Sequence, residues 1–164
     1  MIDIVRFQGS MFNLGFSKIY TFKDFKIFET ADEDKIIKTA SNFNVDIITG
    51  VENYKKKDKL NARSSGLNQV ICKEASENKI AIGFDFNLAL NSDNKQKIIG
   101  RMMQNVKLCR KYKVRMALFS GAKNKFEMRS AKDLIAFGKV IGMTGSEVKK
   151  ALNFEKKKRD VEVY

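Results

Sequence analysis

Three runs constrain this chain more than anything else in it: VDIITGV (45–51), KIAIGFDF (79–86) and VRMALFSG (114–121). Each is a nearly continuous apolar stretch, so each reads as a strand covered on both faces rather than one with alternating exposure. Between them lie segments of helical length. In one, Leu67, Val70, Ile71 and Ala75 share a face; in the other, Ile98, Ile99, Met102, Val106 and Cys109 do so. Strand, helix, strand, helix at this spacing predicts parallel strands with helices outside.

IDIVRF (2–7) reads as a further short strand, and KIYTF (18–22) with KIFET (26–30) as two more, joined in a hairpin across Lys23 and Asp24. A full (β/α) barrel takes about 250 residues, and this chain has 164. The expected fold is therefore α/β: an abbreviated or incomplete TIM-type (β/α) barrel with parallel strands and outer helices. It occupies one domain, residues 1–154, followed by a short charged tail, 155–164, whose VEVY is a last strand or a frayed end.

Helix starts are marked by short polar residues followed by acids. Thr30 with Glu33, Ser130 with Asp133 and Thr144 with Glu147 have capping-box spacing, Ser64 or Ser65 caps the helix before Leu67, and Ser92 opens a helix of about 20 residues. The last two helices are expected to run to about Met143 and Phe154, and Gly138 with Gly142 predicts close packing.

The charge is lopsided. Residues 1–82 hold 13 basic and 11 acidic side chains, and residues 83–164 hold 19 and 8, out of a net charge of +13. A lysine-rich codon bias accounts for lysine being chosen over arginine better than it accounts for the net charge, which points to an anionic partner. On the long helix, Lys97, Arg101, Gln104, Lys107 and Lys111 fall opposite the apolar stripe with no carboxylate among them. A merely solvated face tends to carry spaced ion pairs, so this one is a candidate for contact with phosphate. FSGAKNKFEMRSAKDL (119–134) joins a strand end to a capped helix, the usual place for barrel chemistry, yet it offers Lys123, Lys125, Arg129 and Lys132.

The sequence contains no histidine, which excludes Ser/His/Asp and Cys/His catalysis and imidazole-based metal sites. Cys72 and Cys109 lie in helical segments without a CxxC pattern and read as reduced, buried thiols. A carboxylate site for Mg²⁺ would draw on Asp3, Glu29, Asp46 and Asp85, of which Asp85 is best placed, at a strand's carboxyl end. No secretory signal and no stretch of about 18 apolar residues is evident. A cytoplasmic protein without membrane contact is expected.

From residue 45 onward the chain resembles a known family. VDIITGVENYKKKDKLNARSSGLNQVICKEASENKIAIGFDFNLAL, then RMMQNVKLCRKYKVRMALFSGA and MRSAKDLIAFGKVIGM, are similar to archaeal ribonuclease P protein component three, counterpart of the eukaryotic thirty-kilodalton subunit. RSSGLN, AIGF, the MMxN helix, SGA and RSxxDL occur in the family's order. The resemblance implies a TIM-type barrel related to metallohydrolases, and a non-catalytic, RNA-binding subunit of the ribonucleoprotein that removes 5′ leaders from precursor tRNA. It also implies that the RNA carries catalysis with Mg²⁺ and that the protein binds no cofactor. The implied partners are the ribonuclease P RNA, protein component two and other protein subunits, with precursor tRNA met indirectly.

Carried over by motif, the candidate RNA-binding residues, which contact RNA or hold the binding face, are Arg63, Ser65, Arg101, Lys107, Lys123, Arg129 and Lys132. Ser65 also reads as a helix cap, and Arg63 and Arg129 as partners of nearby carboxylates. Two departures stand out. Gln69 occupies the place of the family's histidine in GLNH, and the region before residue 45 is shortened, which leaves barrel closure in question. The alternatives are a metal-dependent phosphoesterase with Asp85 as ligand, or a scaffold that holds another protein.

Overall fold

The three apolar runs become parallel neighbours, buried on both faces. In the computed structural model, which describes residues 1–41 and 44–156, the strands are β1 (Ile2–Val5), β2 (Lys18–Thr21), β3 (Ile27–Glu29), β4 (Ile47–Thr49), β5 (Ala81–Asp85) and β6 (Arg115–Phe119). The helices are α1 (Glu33–Ala40), α2 (Gln69–Glu77), α3 (Phe86–Asn91), α4 (Lys95–Tyr112), α5 (Ala131–Val140) and α6 (Gly145–Ala151). VEVY lies outside the described residues.

All pairing between these strands is parallel. β3, β4, β5 and β6 form one sheet in that order, and β1 pairs with β2. The edge of β6 continues onto β1 through hydrogen bonds at the strand ends: Gly121 N to Ile4 O at 3.1 Å and Arg6 N to Ala122 O at 2.8 Å. The wall therefore runs β3, β4, β5, β6, β1, β2. Among the described residues no strand pairing joins β2 to β3, and the wall is an incomplete (β/α) barrel.

Ile47, Ala81, Ala117, Phe119 and Ile4 form an inner cluster with Phe25 and Phe154. Ile48, Ile80, Ile82, Phe84 and Leu118 belong to the larger cluster beneath the helices. Gly83 is inside because the Phe119 ring needs its place: a Cβ there would stand 2.7 Å from Ile47 Cγ2 and 2.9 Å from Phe119 Cε1. The Phe25 ring packs at 5.2 Å from the Tyr20 ring and 5.7 Å from the Phe154 ring.

Several local expectations are corrected. Segments 18–22 and 26–30 do not form a hairpin. The Asp24 carboxylate takes the amide and hydroxyl of Thr21 at 2.6 and 2.8 Å, and neither Lys23 nor Asp24 has the positive φ of a tight hairpin turn. β2 and β3 each find a parallel partner instead. α1 is capped by Asp32 rather than Thr30, whose hydroxyl accepts from Asp32 N. α4 is capped by Asn94 rather than Ser92, and a separate short helix, α3, precedes it. α5 and α6 stop at Val140 and Ala151, short of the expected ends. Gly138 does pack closely, against Val148 and Leu118, whereas Gly142 has φ +93° and open space around it, so it serves the turn after α5. Ser130 and Thr144 form the expected capping boxes, and both cysteines are buried free thiols.

Candidate nucleic-acid interface

The carboxyl end of the barrel holds a cleft of about 500 Å³ lined by Arg6, Glu29, Asn53, Asp85, Asn87 and Lys123, among others. At its base sits a cation the sequence reading passed over. Arg6 follows β1 directly, and its Nη1 donates to Asp85 Oδ2 at 2.6 Å and to Gly121 O at 2.7 Å; Nη2 donates to Glu29 Oε1 at 3.0 Å. The guanidinium lies over the Phe22 ring at 4.4 Å. Asp85 Oδ1 caps α3 by accepting from Leu88 N at 3.1 Å.

Burial opposes the Arg6 charge, but the two carboxylates outweigh it and raise its pKa. Burial likewise raises the Asp85 carboxyl, with Arg6 only partly offsetting it. Gly121 makes the arrangement possible: it has φ +61°, and a Cβ there would lie 2.2 Å from Asp85 Oδ1. Asp3, just below, accepts from Ser120 N and Ser120 Oγ, both at 2.7 Å, and burial raises its pKa as well.

A divalent cation does not fit this donor set. Both Asp85 oxygens already accept hydrogen bonds, and the ion would have to displace a guanidinium bound to both carboxylates. Among the described residues no cluster of three or more potential ligands could hold a metal. Asp46, expected at a strand start, lies there and accepts from Lys26 N at 3.0 Å.

The second feature is the connection from β4 to α2, which folds back over the face of α4 expected to meet solvent. Arg101 is 1% exposed, and its full set of N–H groups is used. Nη1 donates to Glu52 O and Tyr54 O at 2.8 and 2.6 Å; Nη2 to Lys56 O at 2.7 Å and Asp58 Oδ1 at 2.9 Å; Nε to Asp58 Oδ1 at 3.0 Å. Its expected role on an exposed basic face is thus corrected: it is the post around which residues 52–58 are wound.

Ser65 is also buried and does not cap α2. Its hydroxyl accepts from Gln104 Nε2 at 3.1 Å, and Asn68 is the cap. Gly66 sets that offset. Its φ is +83°, and a Cβ would be 2.2 Å from Val51 O, so the chain turns tightly there before the helix begins. Arg63 is exposed, lies against Gly100 and pairs with Asp58 at 3.7 Å. The loop turns Lys55, Lys57 and Lys59 outward, without an ion pair among the described residues; Lys56 pairs with Glu33 at 3.3 Å.

The third feature is the loop from β6 to α5. Lys123 and Lys132 are exposed and make no ion pair among the described residues. Arg129 is half-buried, donates to Met128 O at 2.9 Å, and lies over the Phe86 ring at 5.7 Å. The Asp133 carboxylate near it is held by the Ser130 cap. The loops after β4 and β6 both leave the carboxyl end of the sheet: Arg63, on the first, lies against Gly100 and Gln104 of α4, whereas Lys123, Arg129 and Lys132 share the rim at the second. Lys107 does not belong there: it is exposed, but at 1.5 Å per residue it sits roughly 18 Å down α4 from the rim.

The sequence model of the family described as RNase P subunit p30 matches residues 12–158. This chain belongs to that family. Curated relatives include ribonuclease P protein component 3 of Methanosarcina acetivorans, 38% identical over 93 residues that make up 56% of this chain and 39% of the relative. The Thermococcus kodakarensis protein of the same name is 31% identical over 94 residues, 56% of this chain and 43% of the relative. The matched part therefore spans about two fifths of these relatives' length. In fold, this p30-family chain is similar to a chain in the cryo-EM structure of archaeal ribonuclease P with mature tRNA, with a TM-score of 0.74 and 19% identity over 93% of this chain and 87% of the other.

Proposed function

We propose that this p30-family chain is a non-catalytic, RNA-binding subunit of ribonuclease P that supports the catalytic RNA in removing 5′ leaders from precursor tRNA. Membership of the family supports the assembly. The observation that carries the non-catalytic role is Arg6, which occupies the carboxylates at the barrel mouth where a hydrolase of this fold would hold its metal. In this reading the protein binds no cofactor, and Mg²⁺ belongs to the RNA. Its partners are the ribonuclease P RNA, protein component two and other protein subunits, with precursor tRNA met indirectly.

Lys123, Arg129 and Lys132 on the rim, with Arg63 beside α4, are the side chains assigned to phosphate. Lys107 supplies a separate contact on the outer wall, while Arg101 and Ser65 hold the basic loop in shape. Binding of this kind releases counterions, so the logarithm of the affinity falls linearly with log salt. Replacing both Lys123 and Lys132 by alanine should weaken association with ribonuclease P RNA and reduce the salt slope by roughly two. An unchanged affinity and slope would overturn the assignment.

A further inference from the structure

The geometry points to a stacking platform for unpaired RNA bases at the tip of the β6–α5 loop, built from Phe126 and Phe12 with Lys125 between them. This rests on the RNA-binding reading above and names the part of the RNA that meets this rim. Phe126 is 76% exposed and Phe12 is 46% exposed. Single apolar side chains at a surface are ordinary, but these two are not independent. The Lys125 ammonium stands 5.1 Å from the Phe126 ring centroid and 5.9 Å from that of Phe12.

The turn that presents Phe126 is fixed rather than free. Asn124 Oδ1 accepts from Phe126 N at 2.9 Å and Glu127 N at 3.2 Å. The Glu127 carboxylate in turn takes Lys123 N at 2.9 Å and Asn124 Nδ2 at 3.1 Å. Phe12 belongs to the segment whose Met11 and Leu14 pack on Val5, Ala122 and Met128. Both rings are therefore carried on supported backbone, which lowers the ordering cost of a contact.

Charge decides the occupant. Lys125 stands over both rings, Arg129 donates to Phe126 O at 3.4 Å, and Lys123 and Lys132 belong to the same stretch, whereas its two acids are spent locally, Glu127 on the turn and Asp133 on the α5 cap. Exposed aromatic faces set among cations suit a strand whose bases stack while its phosphates meet lysine. A paired duplex hides its base faces and could use only the lysines. Base identity would matter little, because every base has a π face.

The test measures affinity and salt slope of the full chain for an oligouridylate and for a fully paired RNA duplex. Phe126→Ala should weaken oligouridylate binding about five- to a hundredfold, leave the salt slope unchanged and leave duplex binding unchanged; Phe12→Ala should act in the same direction. Phe126→Leu keeps the apolar bulk but not the π face and should behave like Phe126→Ala, whereas Phe126→Tyr should bind as the parent does. Equal binding of oligouridylate by parent and Phe126→Ala overturns the platform while the RNA-binding reading stands. Rescue by Phe126→Leu overturns it in favour of an apolar protein contact. If the parent binds neither RNA above a neutral control, the RNA-binding reading fails and the platform with it.

Discussion

The interior and the rim of this barrel end treat positive charge in opposite ways. Arg6 and Arg101 lie inside, each guanidinium matched to carboxylates and carbonyl oxygens. Lys123, Lys125 and Lys132 stand at the rim with no ion pair among the described residues. The chemistry of the two side chains explains the division. Guanidinium is a rigid fork of five donors that can be satisfied in a dry site, while ammonium on a flexible stem keeps its water until an anion arrives. Net charge therefore overstates the binding surface: part of it is construction.

If this division is right, removing an interior cation should cost stability first. Arg101→Ala is expected to have the largest effect, about 4 kcal/mol, since it leaves the carbonyls of Glu52, Tyr54 and Lys56 without their donor. Denaturant unfolding measures this, and any loss of RNA binding should track disorder of the 52–58 loop rather than a lost phosphate contact. Arg6→Ala should cost about 3 kcal/mol, because Asp85 stays buried with its main partner gone. The Lys123→Ala and Lys132→Ala pair should unfold within about 0.5 kcal/mol of the parent. Equal stability losses for Arg6→Ala and the lysine pair would erase the distinction between interior and rim.

Glu52 sharpens the comparison from the acidic side. Burial raises its pKa to about 7, against the hydrogen bond from Asn105 Nδ2 at 3.0 Å. Among the described residues neither Glu52 Oε2 nor Asn105 Oδ1, both buried, has a hydrogen-bond partner, and a proton on Glu52 would supply a donor there. The folded state holds that proton more tightly than the unfolded chain does. Its contribution is therefore complete below the ordinary glutamate value of 4.5 and is lost as pH rises through about 7. The loss should be about 3 kcal/mol, and Glu52→Gln should flatten the stability profile across that window. An identical profile in the two proteins would show that Glu52 does not titrate there.

Much of the framework was legible from residue pattern. The apolar runs around Ile48, Ile82 and Leu118 became parallel strands because runs of that kind need cover on both faces. Ser130 and Thr144 were readable as caps because the acid three residues on closes the box locally. Ser65 and Arg101 are buried, not a helix cap and an exposed cation, for a shared reason. A helical wheel separates apolar from charged positions, but it does not show that the 52–66 connection returns to cover the charged side of α4. Arg6 left only a faint signal, a cation directly after the first strand; its importance comes from Asp85 and Glu29, 79 and 23 residues away along the chain.

Local chemistry by itself determined the strands, the capped starts of α5 and α6, the absence of imidazole chemistry and the excess of positive charge in the second half, since periodicity, capping and composition act within a few residues. Only the tertiary structure decided which cations are structural and which make no ion pair among the described residues, that the described strands leave β2 and β3 unpaired with each other, and that Phe12 comes to lie beside Lys125 and Phe126. Those outcomes depend on contacts between segments far apart in sequence, where burial and partner geometry, not residue type, fix what a charge or a ring can do.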